Sequence, residues 1–260
     1  MRSVAVLRVV EREALVYRRL WRGSVFSHFV APTLYLAAMG VGLGGLVDAR
    51  NQLTEGTTYA QFVAPGLLAA TVMQSLVAES LWPVMGGIKW IRNFHAMAAT
   101  SMTATDIFTG LLVWNALRVV ISSAIFLAVA LAFGALASPW AVLAIPAVVL
   151  CGISFAALVS AFTATQESDE RFVLLMRIGV LPLFMFSGTF FPITQLPAWL
   201  QGLAWISPLW HGIELCRAAT TGIAPSGGAG VLVAHVVALV AFVAVGWLWG
   251  IRGFQNRLAS

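Results

Sequence analysis

Six long apolar runs separated by short polar stretches set the pattern of this chain: about Ser24–Leu46, Tyr59–Val84, Ile107–Gly134, Ala141–Ala164, Phe172–Phe191 and Ala229–Ile251. A helix that crosses a bilayer core of roughly 30 Å takes about 20 apolar residues, so each run predicts a transmembrane helix. The fifth is interrupted by Arg177 and Pro182. Ahead of the first run, Val4–Arg22 contains neither Gly nor Pro and follows a helical period. Leu7, Val10, Ala14, Tyr17 and Trp21 share one face, and Arg8, Arg12, Arg19 and Arg22 cluster nearly opposite. That division predicts an amphipathic helix lying at the membrane interface, with its guanidiniums near anionic headgroups. It serves either as a stop signal that fixes topology or as an elbow that orients the first span. The predicted fold is all-α and integral to the membrane, with residues 1–23 as the interfacial helix and residues 24–260 as one six-span membrane domain.

Two of the intervening stretches carry a pattern of their own. In Met85–Asp106, Gly86 and Gly87 are expected to break the preceding helix. Lys89, Arg92 and His95 then fall at helical spacing beside Trp90, Ile91, Phe94 and Met97. A short amphipathic helix with an aromatic and Met-rich side either docks into a groove on another protein or rests on lipid. Thr103 or Thr105 is placed to cap the helix that starts near Asp106. The second stretch, Thr189–Gly228, is too long for a tight connection and too apolar for a solvated loop. Pro197 and Pro208 suit the first turns of two short helices, about Pro197–Ile206 and Pro208–Thr221. Trp199, Trp205 and Trp210 belong at the headgroup level. Neither helix is long enough to span, so the pair is expected to re-enter the outer leaflet. There it plugs the outer end of a pathway or caps the fold.

Composition removes the soluble alternative. Apolar residues make up 60% of the chain and charged residues 10%, against about 45–50% and about 25% in soluble domains. Fourteen of the 15 basic residues are Arg, and their placement predicts the orientation. Eleven lie in the N-terminal segment, in the loops after the second and fourth runs, and at the C-terminus; only Arg50 and Arg217 lie in the other loops. By the positive-inside rule both termini are cytoplasmic. No small-residue cleavage site follows the first run, so a signal peptide is not expected. Cys151 and Cys216 are too few for a disulfide framework.

Inside the runs, Glu79, Arg118 and Arg177 are the Asp, Glu, Lys or Arg residues, and such groups face protein or water and find partners. A Glu79–Arg118 or a Glu79–Arg177 pair would neutralise both members. Gln74 and Asn115 are candidates for interhelical hydrogen bonds. His28, His211 and His235 have no metal-ligand spacing, and no metal site is expected. Gly40, Gly42, Gly44 and Gly45 contain a GxxxG pattern. No phosphate-binding loop, HExxH or GxSxG occurs, and the acidic cluster Glu167, Asp169 and Glu170 either forms a solvated loop or attracts a basic surface on a partner. The chain is therefore expected to have no catalytic residues and no bound cofactor, and to hydrolyse no nucleotide itself. An ion-coupled carrier or intramembrane enzyme would need carboxylates or histidines convergent near mid-membrane, and none is identified.

The basic N-terminal helix, six spans, Gly-led loop and late outward motif together resemble a type-2 ATP-binding-cassette (ABC) permease. The stretch LFMFSGTFFPITQLPAWLQGLAWISPLWHGIELCRAATTG, Leu183–Gly222, is similar to the signature region of nodulation-type lipo-oligosaccharide exporters and daunorubicin-type drug-resistance permeases. The resemblance implies a coupling helix at about Gly87–Met97, with Gly87, Lys89, Trp90, Arg92, Phe94 and Met97 toward an ATPase. It implies that Val4–Arg22 is the connecting helix and that Pro192, Pro197, Trp199, Trp205, Pro208 and Glu214 build the exit gate. It further implies a cell-membrane exporter of an amphiphile, either a hydrophobic antibiotic or a lipid-linked saccharide. Two permease copies, or this chain with a paralogue, would sit in lipid above separate ATPase subunits that bind ATP and Mg; nucleic acid has no part. The family's coupling loop often carries a Glu/Arg-rich run, whereas here only Lys89, Arg92 and His95 precede Asp106.

Overall fold

A computed structural model describes residues 2–38, 42, 44–45, 57–223 and 228–259. Its described residues form helices and no strand. In chain order these are α1 (Arg2–Leu36), α2 (Tyr59–Met85), α3 (Asn93–Ala98), α4 (Ala104–Ala132), α5 (Ala144–Ala164), α6 (Glu170–Leu174), α7 (Leu181–Phe186), α8 (Ala198–Ile206), α9 (Pro208–Thr221) and α10 (Ala229–Leu258). Four helical stretches among the described residues are long and apolar enough to cross a membrane: Tyr59–Trp90, Ala104–Ala132, Pro139–Ala164 and Ala229–Leu258. They correspond to the second, third, fourth and sixth apolar runs.

The first and fifth runs differ from expectation. The segment Val4–Arg22 and the start of the first run form one unbroken helix, α1, instead of an interfacial helix followed by a span. Only Gly23 separates them, and a single glycine weakens a helix interior by about 1 kcal/mol, too little to end it. The lower part of α1 runs in step with α4. Val9 is fully buried and lies where a side chain on Gly110 would sit, and the Tyr17 ring meets Trp114 edge-on at 5.6 Å. The packed face is therefore centred on Val9 and Tyr17, while Leu7 and Leu15 stay exposed. Gly40 and Arg50 lie outside the described residues, as do the side chains of Trp21, Arg22 and His28. The fifth run divides into α6, a π-helical stretch Leu175–Val180, and α7. The slip to π register sits just before Pro182, which has no N–H to offer the carbonyl four residues back.

The interior is built around α5, which packs against α10, α2, α4 and α9. Its buried positions are mostly small: Cys151, Gly152, Ser154, Ala156, Ala157, Ser160, Ala161 and Ala164. In a bilayer, apolar area gives helices no preference for each other over lipid, so close backbone approach and interhelical hydrogen bonds hold them together. Hydroxyls of α5 make such bonds to two neighbours: Thr163 Oγ1 donates to the Ser80 carbonyl of α2 at 2.8 Å, and Ser154 Oγ to the Leu239 carbonyl of α10 at 3.2 Å. The start of α4 is set by a reciprocal cap. Asp106 N–H donates to Thr103 Oγ1 at 3.2 Å, and Thr103 N–H to Asp106 Oδ2 at 2.9 Å. Thr103, not Thr105, is the cap.

Candidate functional site

At the end of the bundle that carries Lys89, Arg92 and Arg257, α2 does not stop at its glycines. It continues through a π-helical turn, Gly86–Trp90, closed by the Ile91 N–H to the Gly86 carbonyl at 2.8 Å. The break comes at Arg92, the one described non-glycine residue in the left-handed region, with φ 56°. Such a conformation costs on the order of 1–3 kcal/mol unless its surroundings hold it. Here the reversal folds α3 back beneath α2. Phe94 is only 3% exposed. Its ring lies against the Cα of Gly87, where any side chain would clash with it, and stacks at 5.9 Å on Phe254 of α10. The glycines therefore permit close approach and do not end the helix.

The structure places the expected contact residues unequally. Lys89, Trp90 and Arg92 point outward; Gly87 and Phe94 are buried; Met97 packs partly against the core. Ile91, which was not among the expected contacts, is 75% exposed and adjoins Trp90 at 53%. A knuckle of Lys89, Trp90, Ile91 and Arg92 projects from an anchored base.

The base is clasped by residues from the end of α10 and from the loop after α5. Arg257 near the end of α10 donates from Nε to the Ala164 carbonyl at 2.9 Å and from Nη2 to the Gln166 carbonyl, and its Nη1 pairs with the Glu167 carboxylate at 2.8 Å. Lys89 reaches the Glu167 carbonyl from the other side, and His95 Nε2 meets the Arg257 carbonyl at 3.2 Å. The last carbonyls of α5 lack intrahelical partners, and cations are favoured there. The clasp joins the knuckle to the ends of α5 and α10. Charge-assisted hydrogen bonds contribute about 1.5–3 kcal/mol each. Arg257→Gln is accordingly expected to raise amide hydrogen exchange at residues 164–169 by at least about tenfold; unchanged exchange would mean the clasp holds nothing.

At the opposite end, Pro192 leads into a 3₁₀ turn, Ile193–Gln195, and Pro197 stands as the cap of α8, one residue outside the helix. Ser207 joins α8 to α9, its Oγ accepting the Leu209 N–H at 3.1 Å, with Pro208 opening α9. The two short helices sit differently. In α8, Trp199, Leu203, Trp205 and Ile206 are exposed, whereas α9 buries Leu209, Ile213 and Cys216 against α5 and α2. Glu214 pairs with Arg217 at 2.6 Å. Arg217 also donates to the Gly188 carbonyl at 2.7 Å and lies 4.1 Å from the Phe62 ring centre. In the sequence Arg217 counts only as a basic residue of an outward loop, yet it ties α9 to α2 and to the segment after α7. His211 and His235 meet Nδ1 to Nδ1 at 2.7 Å, one donating and the other accepting, beside Trp210. Their separation of 24 positions hid the pairing. Among the described residues no three His, Cys, Asp or Glu side chains converge as a metal site.

Of the two ion pairs expected within the runs, Glu79–Arg118 is present, with the Arg118 guanidinium 5.2 Å from the Tyr17 ring centre. Arg177 is exposed in the π-helical stretch and does not reach Glu79.

The chain matches the family model described as ABC-2 type transporter over residues 5–221, from the lower part of α1 to the end of α9. Nodulation protein J of Sinorhizobium fredii is 28% identical over 252 residues, covering 97% of this chain and 93% of that protein. Nodulation protein J of Rhizobium leguminosarum bv. trifolii is 30% identical over 222 residues, covering 85% and 82%. Inner membrane transport permease YadH of Escherichia coli strain K12 is 24% identical over 246 residues, covering 94% and 93%.

Proposed function

The chain belongs to the ABC-2 type transporter family and is the membrane permease subunit of an ABC exporter; from this premise we propose that its cargo is an amphiphile. The cargo is a hydrophobic antibiotic or a lipid-linked saccharide, taken from the cytoplasm or inner leaflet. On this reading the permease has six spans with both termini cytoplasmic in the cell membrane, and it pairs with a second copy or a paralogue. The basic end faces the cytoplasm and meets the separate ATPase subunit, which binds the ATP and Mg. The α8–α9 pair re-enters the outer leaflet and closes the exit, with Pro192, Pro197, Trp199, Trp205, Pro208 and Glu214 shaping it.

The observation that carries the reading is the exposed Trp90–Ile91 knuckle on a clasped base. An ATPase can drive the permease only by binding two conformations unequally. Moving a 1:99 population to 99:1 takes about 5.5 kcal/mol of such difference. A rigid projection coupled to α5 and α10 can deliver it, whereas a loose loop would absorb it. Amphiphilic cargo is supported by the spans themselves. In the four candidate spans the only ionisable acid–base pair away from the helix ends is Glu79–Arg118, and no row of charges lines a path for a soluble ion.

The test is reconstitution. Purified with its ABC ATPase subunit and placed in liposomes, the permease is expected to move a fluorescent lipid-linked sugar or anthracycline only with ATP. Failure to capture any ATPase, or ATP-independent uphill movement by this chain alone, would overturn the proposal.

A further inference from the structure

Beside the Glu79–Arg118 pair a cavity of about 410 Å³ opens between α1, α2 and α4. Its volume lies in the roughly 300–1,000 Å³ range of small-molecule sites. Its walls carry two ion pairs, Glu79–Arg118 and Arg12–Glu13, so that two cations and two anions cancel. Asn115 of α4 and Ser160 of α5, both buried, reach the same space. Tyr17 and Trp114, edge to face, present aromatic surface to it. At the mouth stand Val16 and Ile91, which are 44% and 75% exposed.

That lining is selective. A ligand with net charge would leave one member of a balanced pair uncompensated, which is strongly unfavourable in a partly buried site. A wholly apolar ligand would desolvate four charged groups and an amide with nothing in return. The complementary ligand is electroneutral and both donates and accepts hydrogen bonds, with C–H or ammonium groups for the aromatic faces. The apolar mouth suits an acyl chain leaving that head. We propose that this cavity is a loading site for the electroneutral polar head of an amphiphile, whose chain runs out past Val16 and Ile91. The cavity is lined by Ile91 of the knuckle and by Gly87 and Phe94 of its base, so a push on the knuckle alters the wall that the head touches. The inference rests on the amphiphile reading above. Two sources share the chemistry: a zwitterionic phospholipid of the leaflet, or the cargo itself.

The permease–ATPase complex, held in an ether detergent, is offered phosphatidylethanolamine, a monoglucosyl diacylglycerol and anionic phosphatidylglycerol in turn, and retained lipid is counted by native mass spectrometry. One electroneutral lipid per permease is expected, retained at least tenfold better than phosphatidylglycerol. Asn115→Leu fills the cavity floor and is expected to cut retention at least tenfold. So is the double variant Glu79→Gln with Arg118→Gln, which removes the pair without stranding either charge. Preference for phosphatidylethanolamine assigns the site to a leaflet lipid. Preference for the glucosyl lipid with stimulated ATP hydrolysis assigns it to cargo. Equal retention of phosphatidylglycerol, or undiminished retention in both variants, overturns the proposal. Lipid retention without ATPase capture would count against the permease mechanism and leave the cavity assignment standing.

Discussion

Gly246→Leu is expected to abolish the folded permease: a monodisperse peak in detergent gives way to aggregate, whereas Val245→Leu, on the exposed face, leaves it intact. The reason is backbone contact. A β-carbon on Gly246 would lie 2.7 Å from the Leu158 amide nitrogen and 2.9 Å from the Ala157 carbonyl carbon. No side-chain rotation relieves that, so α10 and α5 would have to separate. The buried residues of α10 are His235, Leu239, Gly246, Gly250 and Phe254, a single narrow seam. With so little of α10 covered, a gap at Gly246 forfeits packing and the Ser154–Leu239 hydrogen bond together. Overpacking a well-filled interior costs about 1–3 kcal/mol, and more where the backbone itself is struck. Gly246→Ala should therefore lower the melting temperature by about 2–12 °C, at roughly 2–4 °C per kcal/mol for a chain of this size. An unshifted melting curve for Gly246→Leu would show that α10 does not pack on α5 in this register.

The second large effect is on partnership, not on folding. Trp90→Ala with Ile91→Ala is expected to weaken capture of the ATPase subunit by at least about 30-fold while the permease still inserts and stays monodisperse. Both side chains are exposed, Trp90 at 53% and Ile91 at 75%. Buried aromatic anchors at the centre of interfaces carry about 2 kcal/mol or more each, and 1.4 kcal/mol is a factor of ten. Phe94→Ala provides the contrast. That ring is buried against Gly87 and Phe254, and truncating such a residue costs about 3–5 kcal/mol of stability. The expected pattern is loss of the fold in one variant and loss of the partner in the other. Full ATPase capture and stimulation by the Trp90/Ile91 variant would remove the knuckle from the coupling interface.

In the Met85–Asp106 stretch, basic and aromatic residues at helical spacing stand out against apolar flanks, and that contrast is what makes it a candidate contact segment. Its internal geometry follows a different rule: Gly86 and Gly87 read as breakers, since glycine is a weak helix former in isolation, but Gly87 is the surface on which Phe94 lands. Arg92 carries the turn instead, and nothing in its chemistry announces a left-handed backbone. The short helices after Pro197 and Pro208 were legible within a residue, because proline and serine act on the first turn that follows them. Their unequal burial was not, since it depends on which helices lie beside them.

Local chemistry thus sufficed for the membrane character, the helical class and four helices long and apolar enough to span, and it narrowed the cap of α4 to Thr103 or Thr105 and the partner of Glu79 to Arg118 or Arg177. These follow from hydropathy, period and hydrogen bonding within a few residues. Only the tertiary structure decided that Phe94 faces inward, that Arg257 clasps the end of α5, that His211 finds His235, and that α1 climbs along α4 to enclose a polar cavity. Each of those depends on the rotation and separation of helices far apart in the chain. In a bilayer these are set by where two backbones can approach, which no single segment specifies by itself.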